Sequence, residues 1–550
     1  MSAITPHAPE TPDSYGAFPR LTDDQVELLL EHGERRRTRV GDVLFREGEH
    51  SSELFVILEG MVAIVQGYRG PDERVISLHG PGRFLGEVNL LTDQPSFTTA
   101  VVTEPGEVLA VPAARLRELA GQEPALAEVL LRACLIRRSL LMGEGTGLRI
   151  VGSRYSPDAR RLRDFAARNR IPHVWTDLEE DGTAEAVLRE FGVAPEEAPI
   201  VIWRGQQVLR NPSNAELGRL LGLRAPPVPG EVCDLVIVGA GPAGLAAAVY
   251  ATSDGLDALV LDSIATGGQA ATSSRIENYL GFPEGISGAE LADRALIQAR
   301  KFGARISVPA EATELGRRGG NHVVALDDGE GLECRTVLIA TGARYRKLDV
   351  PRLEGFEKSS VYYAATPIEA QQCVGDPVAV VGGGNSAGQA TLFLSRYAVS
   401  VRLIVRESEL TEYMSRYLAD RIERSANIEV LLHSEVRELV GDDELEAVVV
   451  EDNHSGMRSS LEARALFVFI GTDPCTGWLA GELERDDGGY ILTGPATGSV
   501  GLLETSRPGV FAAGDVRSGS AQRVAAAVGE GAMAVRLVHE HLRLTYTSSA

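Results

Sequence analysis

Cysteine is scarce in this chain. Among 550 residues there are five, Cys134, Cys233, Cys334, Cys373 and Cys475. They are odd in number and far apart, so the sequence offers neither a disulfide framework nor a C-x-x-C redox pair. A reducing, cytoplasmic compartment is the expectation that follows. Positive charge is also short: 54 Lys and Arg stand against 77 Asp and Glu, a net charge of -23. Such a field repels nucleic acid and anionic membranes, and neither is expected as a partner. No apolar run approaches the ~20 residues of a bilayer span. Met1 to Gly16 is polar and carries Pro and Gly, which argues against a signal peptide. Residues 1–18 read as a disordered tail. The 44% hydrophobic and 24% charged content is that of a globular protein, long enough for about three or four domains. No metal ligand set is assigned.

The most informative stretch is Asp234-Leu-Val-Ile-Val-Gly-Ala-Gly-Pro-Ala-Gly-Leu245. An apolar run reads as a buried strand and passes through Gly239, Gly241, Pro242, Ala243 and Gly244 into an Ala-rich helix. In this arrangement the first glycine makes the tight turn. The second admits a pyrophosphate to the backbone, and the third lets helix pack on strand. Asp262 closes the next strand, where a ribose-binding acid belongs. The same pattern recurs after Val378-Ala-Val-Val381, as Gly382-Gly-Gly384-Asn385-Ser386-Ala387. Two dinucleotide fingerprints in one chain are far more specific than one.

Ahead of these lie two smaller units. Residues 19–142 open with an expected helix, Thr22 to His32. Short strands broken by glycine follow at 43–45, 53–58, 61–65 and 75–78, then helices at 113–120 and 124–142. Regular short strands suggest a β-roll. Gly41-Asp-Val-Leu-Phe45, Leu58-Glu-Gly60 and Phe84-Leu-Gly86-Glu87-Val-Asn-Leu-Leu91 resemble the cyclic-nucleotide-binding domain of the catabolite activator family. That resemblance makes Gly86 and Glu87 the regulatory ligand site, with Glu87 on a ribose hydroxyl. The family's phosphate-neutralising Arg is replaced by Phe97, and Arg83 is a candidate stand-in. A cyclic nucleotide, another small effector, and a purely structural or dimerising domain all stay open. No helix-turn-helix follows.

Residues 147–224 alternate strand and helix: strands at 148–152, 173–176 and 200–203, helices at 156–169, 184–191 and 214–221. With Ala198-Pro199 before a strand, this resembles glutaredoxin and thioredoxin domains. Ser153-Arg-Tyr-Ser156 stands where their Cys pair falls. A Ser at a helix start is a good N-cap, and the unit is expected to be redox-inactive. Residues 225–231, rich in Pro, form a linker.

From residue 232 onward the chain resembles low-molecular-weight thioredoxin reductase. The match is carried by both fingerprints, Thr266-Gly-Gly268-Gln269-Ala270, Ile276-Glu-Asn278-Tyr279, Val337-Leu-Ile-Ala-Thr341-Gly342, Phe469-Ile-Gly471 and Val510-Phe-Ala-Ala-Gly514-Asp515, with Arg523-Val524-Ala525 opening the last helix. The resemblance implies two Rossmann-like domains of three-layer type. An FAD domain would span 232–346 and 476–546, with an NAD(P)H domain, 347–475, inserted. It assigns FAD to Gly239, Gly241, Pro242, Ala243, Gly244, Asp262, Gly268, Gln269, Asn278, Thr341, Gly342, Gly514, Asp515, Arg523, Val524 and Ala525. It assigns the nicotinamide dinucleotide to Gly382, Gly384, Asn385, Ser386, Ala387, Arg406 and Gly471, and implies a homodimer. After the strand 401–405 comes Arg406 rather than an acid, which favours NADPH over NADH; Arg402 and Arg416 are candidate helpers.

One departure is central. The family's C-x-x-C would fall on Ala364 to Ile368, where no residue can exchange disulfides. Cys373 is the nearest thiol, and no catalytic residue is assigned beyond it. The reading is therefore an FAD-dependent NAD(P)H oxidoreductase with a non-dithiol acceptor, such as ferredoxin, a quinone or a redox protein. Alternatives are disulfide reduction through an atypical thiol, and a flavin or nucleotide sensor with little turnover.

Overall fold

A computed structural model describes residues 9–70, 73–88, 95–143, 147–181, 184–204, 207–224, 230, 232–273, 275–357, 359–363, 365, 367–442 and 444–547. The chain divides into two compact units. One comprises residues 1–227 with 263–265 and 300–310, the other residues 228–262, 266–299 and 311–550.

In the first unit an antiparallel sheet runs in the order Glu34–Thr38, Thr99–Pro112, Glu53–Gln66, Arg74–His79. Two features escaped sequence reading. The runs at 53–58 and 61–65 are one strand, Glu53–Gln66, bent at Gly60. Its partner Thr99–Pro112 is a long strand that passes unnoticed among Glu, Pro and Gly. The bend requires glycine: a Cβ on Gly106 would lie 2.1 Å from the Glu59 carbonyl oxygen, and the register shifts there. One face of the sheet buries Leu54, Val56, Leu109 and Val111 against Leu116, Leu119, Leu126 and Leu130 of the helices Ala113–Gln122 and Pro124–Gly143. The segment 10–18 does not behave as a tail. Thr11 N–H donates to the Leu78 carbonyl (3.1 Å), Thr11 Oγ1 accepts from Leu78 N–H (2.8 Å), and Ala17 is fully buried.

Residues 147–224 build a four-stranded sheet in the order Gln207–Arg210, Ile200–Trp203, Leu148–Gly152, His173–Asp177. Only the last pair is parallel. The Ala198–Pro199 bond is cis. Ser156 caps the helix Pro157–Arg168 by accepting from Ala159 N–H (3.3 Å). Ser153 accepts from Tyr155 N–H and donates to Glu179. Both serines are thus used in local capping, as their position suggests.

The second unit holds a seven-stranded mixed sheet and a five-stranded parallel sheet. In the first, Val232–Val238 lies parallel between Ala258–Leu261 and Gly331–Ile339, and Val510–Ala512 adds parallel to the latter. The stretches that pair, Leu235–Val238, Ala258–Leu261, Val337–Ile339 and Val510–Ala512, are apolar and buried, as strands covered on both faces must be. The second sheet runs Val361–Tyr362, Ala465–Val468, Pro377–Val381, Ser400–Ile404, Ile428–Leu431, all parallel. The chain passes between the two sheets through Ala343–Tyr345 and returns through Thr472–Pro474, and these strands pair antiparallel. Among the described residues no helix is long and apolar enough to cross a membrane.

Candidate functional site

In each of these two sheets a central parallel strand ends in a glycine turn, and the two turns have the same construction. Gly239 has φ +110°, and a Cβ there would stand 2.2 Å from the Ala340 carbonyl oxygen on the neighbouring strand. Gly382 has φ +139°, and its Cβ would stand 2.2 Å from the Phe469 carbonyl oxygen. No other residue fits either place. The second glycines face open space instead: nothing lies within 4 Å of a Cβ on Gly384, and only Gly268 Cα, at 3.9 Å, approaches one on Gly241. The helices Pro242–Ser253 and Asn385–Leu394 start at these points, so free N–H groups and positive dipole ends face the same opening. A strand-end turn with a helix N-terminus and room above the second glycine fits a dinucleotide pyrophosphate.

The remaining FAD-assigned residues converge on the first turn. Asp262 Oδ2 accepts from Ala240 N–H (2.9 Å). Gly267 N–H donates to the Ala240 carbonyl (2.7 Å), folding the Thr266–Ala270 loop over the fingerprint, so that a Cβ on Gly268 would lie 3.0 Å from Gly241 Cα. The Gln269 side-chain amide donates to the Ala343 carbonyl, and Thr341 Oγ1 donates to the Cys475 carbonyl (2.9 Å). Gly342 and Gly514 have φ of +66° and +77°. A Cβ on Gly514 would be 3.1 Å from Ala243 Cβ, so the last signature lies against the fingerprint helix. Asp515 is half-buried and accepts from Ser520 Oγ (3.3 Å); burial pushes its carboxyl up, and nearby Glu530 adds to the shift. Arg523 precedes the helix Val524–Thr547, whose first residues are Val524 and Ala525. Asn278 is exposed in the loop after the Gly268–Thr272 turn.

Sequence reading missed Glu530. Its carboxylate accepts from Gly514 N–H (2.7 Å) and pairs with Arg517, fixing the Gly514-Asp515 turn from nearly two turns into the helix Val524–Thr547. A lone Glu in a helix carries no signal of this.

In the second domain Asn385 Oδ1 accepts from Ser415 N–H (2.7 Å) and ties the fingerprint helix to Arg416–Glu423. Ser386 is exposed in the first turn, Ala387 is fully buried, and Gly471 (φ +101°) accepts at its carbonyl from Arg346 N–H. Arg406, expected as the cation for a 2′-phosphate, is exposed and its Nε donates to Glu407 Oε1 (2.8 Å). Arg402 is engaged by Glu429 and by the Glu462 carbonyl.

Of the interval 364–368, Ala364 and Thr366 lie outside the described residues, and Ala365 is buried. Cys373 is 2% exposed in the domain core, and burial pushes its thiol up to about 12. It holds almost no thiolate at neutral pH. Cys475 alone among the cysteines is not fully buried.

In the β-roll, Gly86 (φ +96°) turns the chain and Glu87 follows it, fully buried. Glu87 is already paired. Arg137, from the helix Pro124–Gly143, donates to its Oε1 (2.7 Å) and to the carbonyls of Phe84 (2.9 Å) and Ala17 (2.6 Å). Phe97 meets Trp203 edge-on at 6.0 Å between ring centroids, inside the core of the 147–224 unit. Arg83, the candidate stand-in for the missing cation, is instead buried and bound to Glu10 and the Thr11 carbonyl.

Residues 233–531 match the model of the pyridine nucleotide-disulphide oxidoreductases. The chain belongs to this family. Residues 35–123 match the cyclic nucleotide-binding domain. A thioredoxin reductase of Treponema pallidum is 36% identical over 315 residues, 56% of this chain and 97% of that one. A 34.2 kDa protein of the rubredoxin operon of Clostridium pasteurianum is 33% identical over 309 residues, with the same coverage. The solved thioredoxin reductase of Lactococcus lactis aligns with a TM-score of 0.53 at 29% identity, covering 56% of this chain and 98% of that one. The oxidoreductase half is thus thioredoxin reductase-like, an enzyme of a family that uses FAD and NADPH.

Proposed function

We propose that this chain is an FAD-dependent oxidoreductase that takes reducing equivalents from NADPH or NADH and passes them to an acceptor other than its own dithiol. The observation that carries this is the pair of matched glycine turns, one on each side of the antiparallel crossing Ala343–Tyr345 with Thr472–Pro474. Bound flavin supplies the hydride and electron chemistry. The chain's own residues bind and orient. The N–H groups at Gly241 and Gly384 take phosphate, Asp262 and Glu530 fix the turns around the first site, and Asp515 contributes a polar edge. The acceptor is read as a ferredoxin, a quinone or a redox protein, because the interval 364–368 carries no cysteine and Cys373 is buried. Residues 147–224 are read as a thioredoxin-like module without a redox pair, and the β-roll as a regulatory or packing domain. The active form is read as a cytoplasmic homodimer.

Anaerobic titration of the purified protein with NADPH and NADH, followed by challenge with candidate acceptors, tests the reading. Bleaching and acceptor-dependent recovery are expected; a colourless protein that cannot take up flavin would overturn it. A second reading, disulfide reduction through an atypical thiol, is favoured only by the partial exposure of Cys475. Cys373→Ser should leave turnover unchanged, with its thiol unreactive to Ellman's reagent in the folded protein. If Cys475→Ser abolished turnover while flavin bleaching persisted, the thiol route would replace the first reading.

A further inference from the structure

We propose that Glu407 makes the inserted domain select the dinucleotide that lacks a 2′-phosphate, NADH over NADPH. This rests on the reading above that the domain binds a nicotinamide dinucleotide.

In the first half, strand Val232–Val238 pairs with Ala258–Leu261 so that Val238 stands opposite Leu261. The next residue, Asp262, reaches back to N–H of Ala240, the middle residue of the turn. In the second half, Val381 stands opposite Ile404 in the same register. The next residue is Val405, apolar and fully buried, which is why the sequence shows no acid there. The acid arrives two residues later. A Cβ on Gly383, the counterpart of Ala240, would stand 2.6 Å from Glu407 Oε2. A carboxylate therefore covers the glycine turn in both halves.

The state of that carboxylate points to its ligand. Its side chain is 11% exposed. Oε1 accepts from Arg406, whereas Oε2 is buried and has no hydrogen-bond partner among the described residues. A buried carboxylate oxygen calls for a donor. The ribose 2′-hydroxyl is one, and an acid at this place in such turns accepts from it. A 2′-phosphate brings only acceptors and like charge. Arg406 does not reverse the sign. It is 72% exposed, it is paired with Glu407, and Glu435 is close enough to add to the negative field around it.

The test is calorimetric binding of NAD+ and NADP+ to the oxidised, flavin-loaded protein, which needs no turnover. The wild type is expected to bind NAD+ at least tenfold more tightly. Glu407→Gln, with flavin content and melting temperature as folding controls, should bring the two affinities within about threefold, mainly by tightening NADP+. Equal or tighter binding of NADP+ by the wild type overturns the assignment, and so does an unchanged ratio in a folded Glu407→Gln. Either result leaves the domain's reading as a dinucleotide site intact. If the wild type binds neither dinucleotide, that reading falls as well. The wild-type ratio decides the matter even if the variant misfolds.

Discussion

Replacing Arg137 by alanine is expected to destabilise the β-roll by about 3–5 kcal/mol, because it strands the Glu87 carboxylate in a place without water. The pair is almost wholly enclosed, with side-chain exposures of 9% and 1%. Arg137 also satisfies the Phe84 and Ala17 carbonyls, which would lose their donor. Hydrogen exchange on the full chain, followed in the helix Pro124–Gly143, measures the effect without requiring two-state unfolding of the whole molecule. The loss should depend on pH. Burial already raises the Glu87 carboxyl above its ordinary range, and Arg137 opposes that rise. Without Arg137 the folded-state value climbs further. A raised folded-state value means that stability is full below the unfolded carboxyl's range and is lost as pH rises through the folded one. The variant should therefore be closest to wild type near pH 4–5 and weakest at neutral pH. Glu87→Gln combined with Arg137→Met should recover most of the loss, since a matched uncharged pair removes the stranded charge. A loss below about 1 kcal/mol in Arg137→Ala would mean that water reaches Glu87 after all. The same pair bears on ligands. With Glu87 held by Arg137 and Phe97 packed on Trp203, cyclic AMP should bind the wild type more weakly than about 1 μM by calorimetry.

The second large effect is expected from the first glycine turn, where two neighbouring substitutions should fail differently. A Cβ on Gly244 would lie 1.8 Å from the Gly239 carbonyl oxygen, a backbone atom that cannot swing aside. Gly244→Ala must push the helix Pro242–Ser253 off its strand, and overpacking of this kind costs about 1–3 kcal/mol or more. Helix Val524–Thr547 would move with it, because a Cβ on Gly531 would be only 2.2 Å from the Ala243 carbonyl oxygen. The variant should purify colourless with a lowered melting temperature. Gly241→Ala meets nothing closer than 3.9 Å and sits at φ −74°, so it should fold normally. Its methyl group would occupy the room above the turn and reduce flavin content at least tenfold, as expected if pyrophosphate needs that approach. Full flavin occupancy in Gly241→Ala would show that the cofactor does not approach there.

These cases also separate what is legible in sequence from what is not. The turns at Gly239 and Gly382 are local. Strand, glycines and helix lie within about a dozen residues, and each glycine answers a steric demand of its own backbone, so type and spacing suffice. The serines at 153 and 156 are legible for the same reason, since a cap binds N–H groups two or three residues away. The two long strands of the β-roll were not legible, because their bends at Gly60 and Gly106 look like chain breaks until one strand is laid on the other.

By itself, then, the sequence determined that two strand–glycine–helix turns follow two smaller units in the chain, and that the interval before the second turn has no thiol pair. Only the tertiary structure decided what the charged residues face. Arg137 reaches Glu87 across 50 residues of chain, Glu407 folds back over Gly383, and Phe97 is covered by Trp203. The reason is physical. Glycine and capping requirements are set by neighbouring backbone, whereas a buried charge takes its partner from whichever element packs against it.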